Sequence, residues 1–263
     1  MAVEISIVVP VFNEADNILP LAREVTAAFQ PLPRGYELVF VDDASTDETW
    51  QRIAEAQRLD SHVRGLKHVR NAGQSAALWT GIQATSSPIL ATLDGDLQND
   101  PADLPRLIAE LERVDFVSGM RLERQDTWLR KVSSNIARRA RRAVFGVDFR
   151  DTGCAIRAFK RTALVGVFPF NGLHRFLPVI VHGGGAKTLE VPVNHRPRVA
   201  GVSKYGVWNR LGRGIYDLFA ISWYQKRRWR PVAVVELSAP SNEGSSELAA
   251  RDSVGGPVSN PAR

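Results

Sequence analysis

The sequence predicts an α/β protein with a mostly parallel β-sheet that is covered by helices on both faces. Short apolar runs rich in β-branched residues alternate with segments of helical spacing over the first 120 residues, a pattern typical of parallel sheets. Clusters of acidic and amide side chains directly follow three of these runs. Because ligands bind at the carboxyl ends of the strands in such sheets, the clusters also indicate where a site should lie.

Each predicted strand is a short apolar run bounded by polar or turn-forming residues. In chain order the strands are 5–12 (ISIVVPVF), 37–41 (ELVFV), 63–68, 88–93 (PILATL), 115–119 and 188–193 (TLEVPV). Helices are predicted where apolar residues recur at helical spacing, over 15–29, 47–59, 75–85 and 104–113. A glycine-rich segment at 183–185 is interpreted as a turn.

Charge and composition restrict the class of protein. The chain of 263 residues carries a formal net charge of +6, which favours an anionic partner such as a phosphate ligand, an acidic lipid surface or nucleic acid. No apolar window reaches the roughly 20 residues that a membrane-spanning helix needs, and the amino terminus lacks the features of a secretion signal. With a single cysteine, Cys154, these features lead us to expect a cytoplasmic protein.

The carboxyl-terminal part changes character twice. From residue 238 onward large apolar residues are nearly absent, so we expect a folded domain over 1–237 and a disordered tail over 238–263. Segment 207–230 is predicted to be an amphipathic helix, which either lies on a membrane surface or closes the core. Its stripe consists of Trp208, Leu211, Ile215, Leu218, Phe219 and Trp223, and basic residues follow.

An acidic cluster, Asp94-Gly95-Asp96-Leu97-Gln98, directly follows the fourth predicted strand. Alternation along an extended chain turns Asp94 and Asp96 to the same side. Two carboxylates there favour a hard divalent cation, Mg²⁺ or Mn²⁺, that also binds substrate phosphates. The alternative is a solvated turn, because Asp-Gly is a common turn pair.

Two further segments have polar residues at the end of a strand or the start of a helix. Asp42 and Asp43 end the second strand, where a carboxylate can accept hydrogen bonds from a base or a ribose; the alternative is a simple helix cap around Asp47. Arg70-Asn71-Ala72-Gly73-Gln74-Ser75 forms a turn into the third helix, where helix N–H groups bind anions unless the turn is only structural.

Basic residues are concentrated after the fifth strand, beginning at Arg121. Guanidinium groups suit phosphate recognition. The arginines of 138–142 are interpreted as a solvated face, with a lipid phosphate or headgroup surface as the functional alternative. His174, His182 and His195 lack the spacing of metal ligands and are interpreted as structural or supporting residues. Cys154 is interpreted as a small packed residue.

Taken together, IVVPVFNEADNI, VDDASTD, RNAGQSAAL and DGDLQNDP resemble, in order and spacing, the motifs of family 2 glycosyltransferases with the GT-A fold. The resemblance covers about residues 4–215. SGMRLERQDTWLRKVSSNIARRA, RDTGCAIRAFKR, GLHRFLPVIV and VPVNHRPRVAGVSKYG are similar to the polyprenyl-phosphate branch of that family. This branch includes dolichol-phosphate mannosyltransferases and bacterial undecaprenyl-phosphate transferases.

The resemblance implies a role for individual positions. Donor-binding positions are Pro10, Phe12, Glu14, Asp42, Asp43, Gly73 and Gln98, with Phe12 standing where a tyrosine is frequent. The metal would be held by Asp94, Asp96 and Gln98, and the catalytic positions are Asp94, Asp96, Asp151 and Arg130. The acceptor phosphate would be received by Arg121, Arg130 and Ser134, with Arg124 as an alternative because the spacer before Arg130 is short. A loop with Arg196, Arg198 and Lys204 would close over the phosphates.

The implied activity is inverting transfer of a sugar, mannose above others, from GDP-mannose or a UDP-sugar to a polyprenyl phosphate at the inner membrane face. Expected partners are the nucleotide sugar, the lipid phosphate, an anionic membrane surface and a small transmembrane partner, but not nucleic acid. One alternative is a family 2 transferase that acts on a sugar hydroxyl and needs a carboxylate base. Another is a non-catalytic protein that binds anionic membranes or nucleic acid through its positive charge.

Overall fold

The computed structural model describes residues 2–121, 149–196 and 219–227. The chain divides into two compact units, Met1–Arg230 and Pro231–Arg263, and every described residue belongs to the first. The predicted tail 238–263 and most of the predicted helix 207–230 therefore lie outside the described residues.

Strands and helices alternate through the first half of the chain. The strands are β1 (Val3–Val11), β2 (Gly35–Asp42), β3 (Val63–Lys67), β4 (Ile89–Thr92), β5 (Phe116–Arg121), β6 (Arg157–Lys160) and β7 (Thr188–Val193). The α-helices are α1 (Ala15–Phe29), α2 (Thr49–Leu59), α3 (Gln74–Gln83), α4 (Leu104–Ala109) and α5 (Leu173–Gly183). Short 3₁₀ turns cover Pro101–Asp103, Glu110–Glu112 and Arg161–Leu164, and residues 219–227 are helical.

The described strands form one seven-stranded sheet in the order β3-β2-β1-β4-β6-β5-β7. β6 pairs antiparallel with both of its neighbours, β4 and β5, whereas the other neighbouring strands pair in parallel. The carboxyl ends of β1, β2 and β4 consequently meet at one edge, and this edge also receives the first residue of β6. The sheet is mostly parallel, as the sequence predicts.

Apolar side chains cover both faces of the sheet. Alternate residues of β1 separate into two cores, so that Ile7 contributes to one cluster with α1, α2 and α4, while Val8 contributes to the other with α3 and α5. This division follows from the two-residue period of a strand. It confirms the predicted helices on both faces. Cys154 is buried in the first cluster as a free thiol, and burial raises its pKa to about 11.

The sequence pattern gives no bounds for two elements of the fold, because it indicates only short strand-like pieces between residue 142 and the turn at 183–185. The antiparallel strand β6 has only four residues, RAFK, and its polar ends hide the apolar pair between them. Helix α5 contains Pro178 and follows Gly172, which adopts a left-handed conformation. Proline lacks a backbone N–H and normally interrupts a helix, so the apolar spacing of α5 is masked by its own sequence.

Candidate active site

The loops that leave β1, β2 and β4 share an unusual backbone conformation. Asn13, Ala44 and Leu97 have φ angles of 55°, 60° and 59°, and they are the non-glycine residues of the described chain with positive φ. Such conformations cost free energy for residues with a Cβ atom and are concentrated at functional sites. All three lie at the carboxyl edge of the sheet. The backbone therefore marks the same edge as the acidic motifs.

A cavity of about 310 Å³ opens at this edge. Among the described residues, its wall combines four carboxylates with backbone from the turn that precedes α3. The lining residues are Pro10, Val11, Phe12, Glu14, Asp43, Asn71, Gly73, Gln74, Ala77, Asp94, Gly95 and Asp96. Positions from all four predicted motifs thus come together around one space, including Pro10, Phe12, Glu14 and Gly73.

Asp94 and Asp96 contribute the carboxylates at the end of β4. Gln74 donates a hydrogen bond from Nε2 to Oδ1 of Asp94 at 2.7 Å, and the Gln98 backbone N–H donates to Oδ1 of Asp96 at 3.2 Å. Asp96 is buried. The side chains therefore have defined positions rather than those of a solvated turn.

The donor set suits a hard divalent cation. Carboxylate oxygens are the ligands that Mg²⁺ and Mn²⁺ prefer. Within the described ranges no group of three or more His, Cys, Asp or Glu side chains is arranged to hold a metal ion. The contribution of Asp94 and Asp96 thus fits an ion that takes its remaining ligands from a diphosphate and water, as Mg²⁺ commonly does. Gln98 does not line the cavity, so its role as a metal ligand stays a prediction.

Asp43 organises the turn before α3. Its carboxylate accepts hydrogen bonds from the backbone of Ala72 at 2.8 Å and Gly73 at 2.7 Å, and it lies 2.7 Å from Nδ1 of His68. Its backbone carbonyl accepts from Asn71 at 3.1 Å. Gly73 has a φ of 91°, which favours glycine at this position. Asp43 therefore shapes the cavity wall in addition to its predicted contact with the donor.

Asp42 and Asp43 occupy different environments. Asp42 is fully buried, accepts from the Ser45 backbone at 2.9 Å, and lies 3.6 Å from Nζ of Lys67. It is not among the residues that line the cavity. The sequence predicts donor contact for both residues, but the structure places only Asp43 at the cavity, because Asp42 closes the turn after β2.

Arg121 and Asp151 form a two-pronged ion pair. Nε and Nη2 of Arg121 donate to the two carboxylate oxygens at 2.7 and 2.9 Å. Burial by itself would lower the pKa of Arg121, but the hydrogen bonds and charge of Asp151 outweigh it and raise that pKa. Two residues with separate predicted roles, acceptor phosphate and catalysis, are therefore joined at the end of β5. Both roles stay predictions.

A second cavity of about 210 Å³ shares Pro10, Gln74 and Asp94 with the first. It extends toward the core cluster that contains α3 and α5. The sequence does not single out its other lining residues as a site. The remaining lining residues are Leu78, Thr92, Leu93, Gly153, Ala155, Arg157, His174 and Arg175. A lone arginine within the apolar run CAIRAF and the HR pair before FLPVIV are the signals that could have indicated them.

Arg196 lies away from both cavities. It pairs with Glu24 at 2.7 Å and with Asp100 at 2.9 Å, and its backbone N–H donates to the carbonyl of Gln98. Arg196 therefore fastens the start of the predicted closing loop to the loop that follows Asp96, rather than facing the cavity itself. Arg124, Arg130, Ser134, Arg198 and Lys204 lie outside the described residues.

Aromatic side chains are exposed on the carboxyl-terminal side of the domain. Phe219 and Trp223, one helical turn apart, are 72% and 66% exposed, while Ile221 between them is buried. The Tyr224 hydroxyl donates to the Gly166 carbonyl and accepts from the Phe168 backbone, which brings the 69%-exposed Phe168 to the same surface. We call Phe168, Phe219 and Trp223 the aromatic surface. Across the described residues, no helix is both long and apolar enough to span a membrane.

Comparison with known sequences gives one family. The profile described as Glycosyl transferase family 2 matches residues 6–168. A dodecaprenyl-phosphate galacturonate synthase from Rhizobium johnstonii is 37% identical over 236 residues, which are 88% of this chain and 70% of that protein. An undecaprenyl-phosphate 4-deoxy-4-formamido-L-arabinose transferase from an Enterobacter species is 36% identical over 217 residues, 82% of this chain and 66% of that protein.

Comparison with solved structures agrees on the fold. A glucosyl-3-phosphoglycerate synthase from Mycobacterium tuberculosis, in complex with phosphoglyceric acid, gives a TM-score of 0.64 at 20% identity and covers 90% of this chain and 84% of its own. A mannosyltransferase from Pyrobaculum calidifontis, in complex with GDP-Man and Mn²⁺, gives a TM-score of 0.61 at 19% identity and covers 87% of this chain and 66% of its own. At these identities the likeness shows the fold alone.

Proposed function

The chain belongs to glycosyl transferase family 2 and has the GT-A fold, and from this premise we propose that it transfers a sugar from a nucleoside diphosphate to a polyprenyl phosphate. The observation that carries the proposal is the cavity at the carboxyl ends of β1, β2 and β4, where Asp94 and Asp96 line one wall. Relatives named for dodecaprenyl phosphate and undecaprenyl phosphate support the class of acceptor.

The donor nucleotide is assigned to the larger cavity. Asp43, beside the turn at Gly73, and Glu14 both line it, and carboxylates at strand ends accept hydrogen bonds from ribose hydroxyls. Asp94 and Asp96 would hold Mg²⁺ or Mn²⁺. When bound, such an ion neutralises the charge that develops on the departing diphosphate.

A phosphate acceptor suits the side chains around the cavities. A phosphate oxygen is already anionic near neutral pH and needs no strong base, so positioning and charge carry the catalysis. The carboxylate of Asp43 is hydrogen-bonded to His68 and to two backbone N–H groups, and that of Asp151 is paired with the Arg121 guanidinium. Carboxylates held in this way are poorly placed to act as a base. Burial, with the charges of Arg175 and Arg157, lowers the pKa of His174 to about 4, which makes it a poor base. These surroundings favour a lipid phosphate over a sugar hydroxyl.

The identity of the sugar follows the nearer relatives. Mannose, which the resemblance implies, is the sugar of a mannosyltransferase whose structure shares 19% identity with this chain. The relatives at 37% and 36% identity are named for galacturonate and for 4-deoxy-4-formamido-L-arabinose. We therefore favour a sugar of the kind named for these relatives over mannose, with inversion at the anomeric carbon as the resemblance implies.

The chain is also proposed to work on the inner surface of a membrane, where its lipid acceptor lies. The aromatic surface supports this, because Trp and Phe side chains enter the lipid interface and the exposed Lys226 and Arg227 beside them attract anionic headgroups. The predicted small transmembrane partner stays a prediction.

The Asp96→Asn variant tests the assignment of the site. With Mn²⁺, a nucleotide sugar and undecaprenyl phosphate, we expect the rate of glycolipid formation to fall about 100-fold or more, because the charge that holds the ion is lost. The matched control is Asp16→Asn, since Asp16 is exposed on α1, and it should retain transfer within about twofold. Full turnover by Asp96→Asn would overturn the assignment. Transfer by the wild-type enzyme to a sugar hydroxyl but not to the lipid would favour the alternative acceptor.

A further inference from the structure

The smaller cavity adjoins the proposed nucleotide site but has a different chemical character. Its volume of about 210 Å³ is more than ten times the roughly 15 Å³ that one water molecule needs. It meets the larger cavity at Asp94, the residue proposed to hold the metal and the diphosphate. A group attached to that diphosphate would therefore lie next to this space. This reasoning rests on the proposed function.

His174 lines the cavity, and its hydrogen bonds decide which ring nitrogen carries the proton. The buried Ser75 hydroxyl accepts from the backbone N–H groups of Gly172 at 3.0 Å and His174 at 3.5 Å, so both of its lone pairs are occupied. Its own hydrogen is then donated to Nδ1 of His174, 2.6 Å away. Because the pKa of His174 is about 4, the imidazole is neutral at pH 7 and its remaining hydrogen lies on Nε2.

Arg157 brings a buried positive charge to the same wall. Its side chain is 2% exposed, and it donates to the carbonyls of His174 at 2.6 Å and Thr152 at 3.1 Å. No carboxylate in the described chain accepts a hydrogen bond from it, and its Nε has no partner there. Burial lowers its pKa below the ordinary value. A buried guanidinium that is bound only by neutral groups favours an anion nearby.

Pro178 explains how the arginine reaches helix α5. In an α-helix the N–H of residue 178 would donate to the carbonyl of residue 174. Proline has no N–H, so the His174 carbonyl is left to accept from Arg157 instead. The helix is thus built to hold this cation at the cavity.

Cations outnumber carboxylates among the described residues of the cavity wall. Within that part of the chain the charged lining residues are Arg157, Arg175 and Asp94. Asp94 is already assigned to the metal. The other charged side chains described on this wall, Arg157 and Arg175, are both cationic, which is the complement of a carboxylate.

We propose that this cavity holds the transferred sugar and that Arg157, His174 and Arg175 select a sugar that carries a carboxylate, a hexuronate. The guanidinium groups supply charge-assisted hydrogen bonds to the carboxylate, and Nε2 of His174 supplies a neutral one. Arg175, on the more exposed side of the wall, is the residue that can be changed with least effect on folding.

The test compares UDP-galacturonate with UDP-galactose, because the two donors differ only at carbon 6. We expect kcat/KM for the wild-type enzyme to favour the hexuronate about tenfold or more, which is the usual worth of a charged hydrogen bond. Arg175→Gln should reduce this ratio severalfold, and Arg157→Lys should reduce it as well while keeping the charge. The control Arg23→Gln, an exposed residue on α1, should leave the ratio unchanged.

Several outcomes would overturn the proposal. They are equal or better use of UDP-galactose, transfer from GDP-mannose but not from UDP-galacturonate, or an unchanged donor ratio in Arg175→Gln. A higher KM for undecaprenyl phosphate in that variant, with the donor ratio unchanged, would assign the cavity to the acceptor phosphate instead. If no donor gives glycolipid, the proposed function itself fails. Calorimetric binding of the two UDP-sugars then tests the carboxylate preference separately.

Discussion

The imidazole of His174 is held neutral by its surroundings. It is partly buried on α5, bonded to the Ser75 hydroxyl, and faces the guanidinium groups of Arg157 and Arg175. An ordinary histidine titrates near pH 6.5, whereas the pKa of His174 is lowered to about 4. Burial is the largest cause of this lowered pKa, and the positive charges of Arg175 and Arg157, which lower it further, would attract an anionic ligand.

This arrangement predicts a loss of stability in mild acid. Between about pH 6.5 and pH 4 the unfolded chain binds a proton at His174 that the folded chain does not, so the free energy of unfolding falls as the pH is lowered. The loss should be at most roughly 3 kcal/mol. It is measured as the difference between urea denaturation at pH 7 and pH 4.5. His174→Gln should reduce that difference, whereas His182→Gln, an exposed residue of the same helix, should leave it unchanged. An equal difference in wild type and His174→Gln would contradict the prediction.

The sequence predicts some site residues and misses others for a physical reason. Asp43, Asp94 and Asp96 can be predicted because each stands at or just after the end of a strand, and parallel strands end at one edge. Arg157 and His174 come together only because β6 and α5 are adjacent in space, and no spacing in the sequence encodes that contact. Pairing of this kind has to be seen in the structure.

Helix α3 lies unusually close to the sheet. A Cβ atom at Gly81 would come into severe contact with the side chain of Val8 on β1 and within 3.0 Å of Val41 on β2. Both valines belong to the core cluster on this face. The close approach positions Gln74, at the start of the helix, in the wall of both cavities.

Gly81→Ala is therefore expected to destabilise the protein although alanine favours helices. Helix propensity alone would add about 1 kcal/mol to the free energy of unfolding, but overpacking against a stiff β-branched side chain costs about 1–3 kcal/mol. Urea denaturation should show a net loss. The control Gln83→Ala, an exposed residue of α3, should change stability by less than about 0.5 kcal/mol. In the double variant Gly81→Ala/Val8→Ala, the loss in stability should be smaller than the sum of the two single losses. A gain in stability for Gly81→Ala alone would refute the close approach of α3 to the sheet.

Regular elements are predicted well where their signal is long. The predicted ranges for α1 and β7 match the structure, and β1 to β5 differ by a few residues at their ends. β6 and α5 are missed, since four residues carry too little periodicity and Pro178 contradicts the helical pattern. These two missed elements form the wall of the smaller cavity. The sequence therefore predicts the side of the site proposed for the nucleotide better than the side proposed for the sugar.

At the scale of the whole molecule, we expect the aromatic surface to contact a lipid membrane. Phe168 and Trp223 are 69% and 66% exposed, and Lys226 and Arg227 are exposed on the same terminal helix. In sedimentation with vesicles that contain anionic lipid, the double variant Phe168→Ser/Trp223→Ser should bind at least about tenfold more weakly, because apolar area and interfacial aromatics drive such binding. Leu59→Ser, which removes a 69%-exposed apolar side chain from α2, is the control. Equal binding by the double variant and this control would exclude the surface as the lipid contact.

The central claim is metal-assisted transfer of a sugar to a polyprenyl phosphate by the carboxylates at the end of β4. Its most direct test is the rate at which the purified chain forms undecaprenyl-phosphate-linked sugar before and after treatment with a chelator. We expect the rate to fall about 100-fold or more with EDTA and to return when Mn²⁺ or Mg²⁺ is added in excess. An undiminished rate in the chelator would contradict the claim.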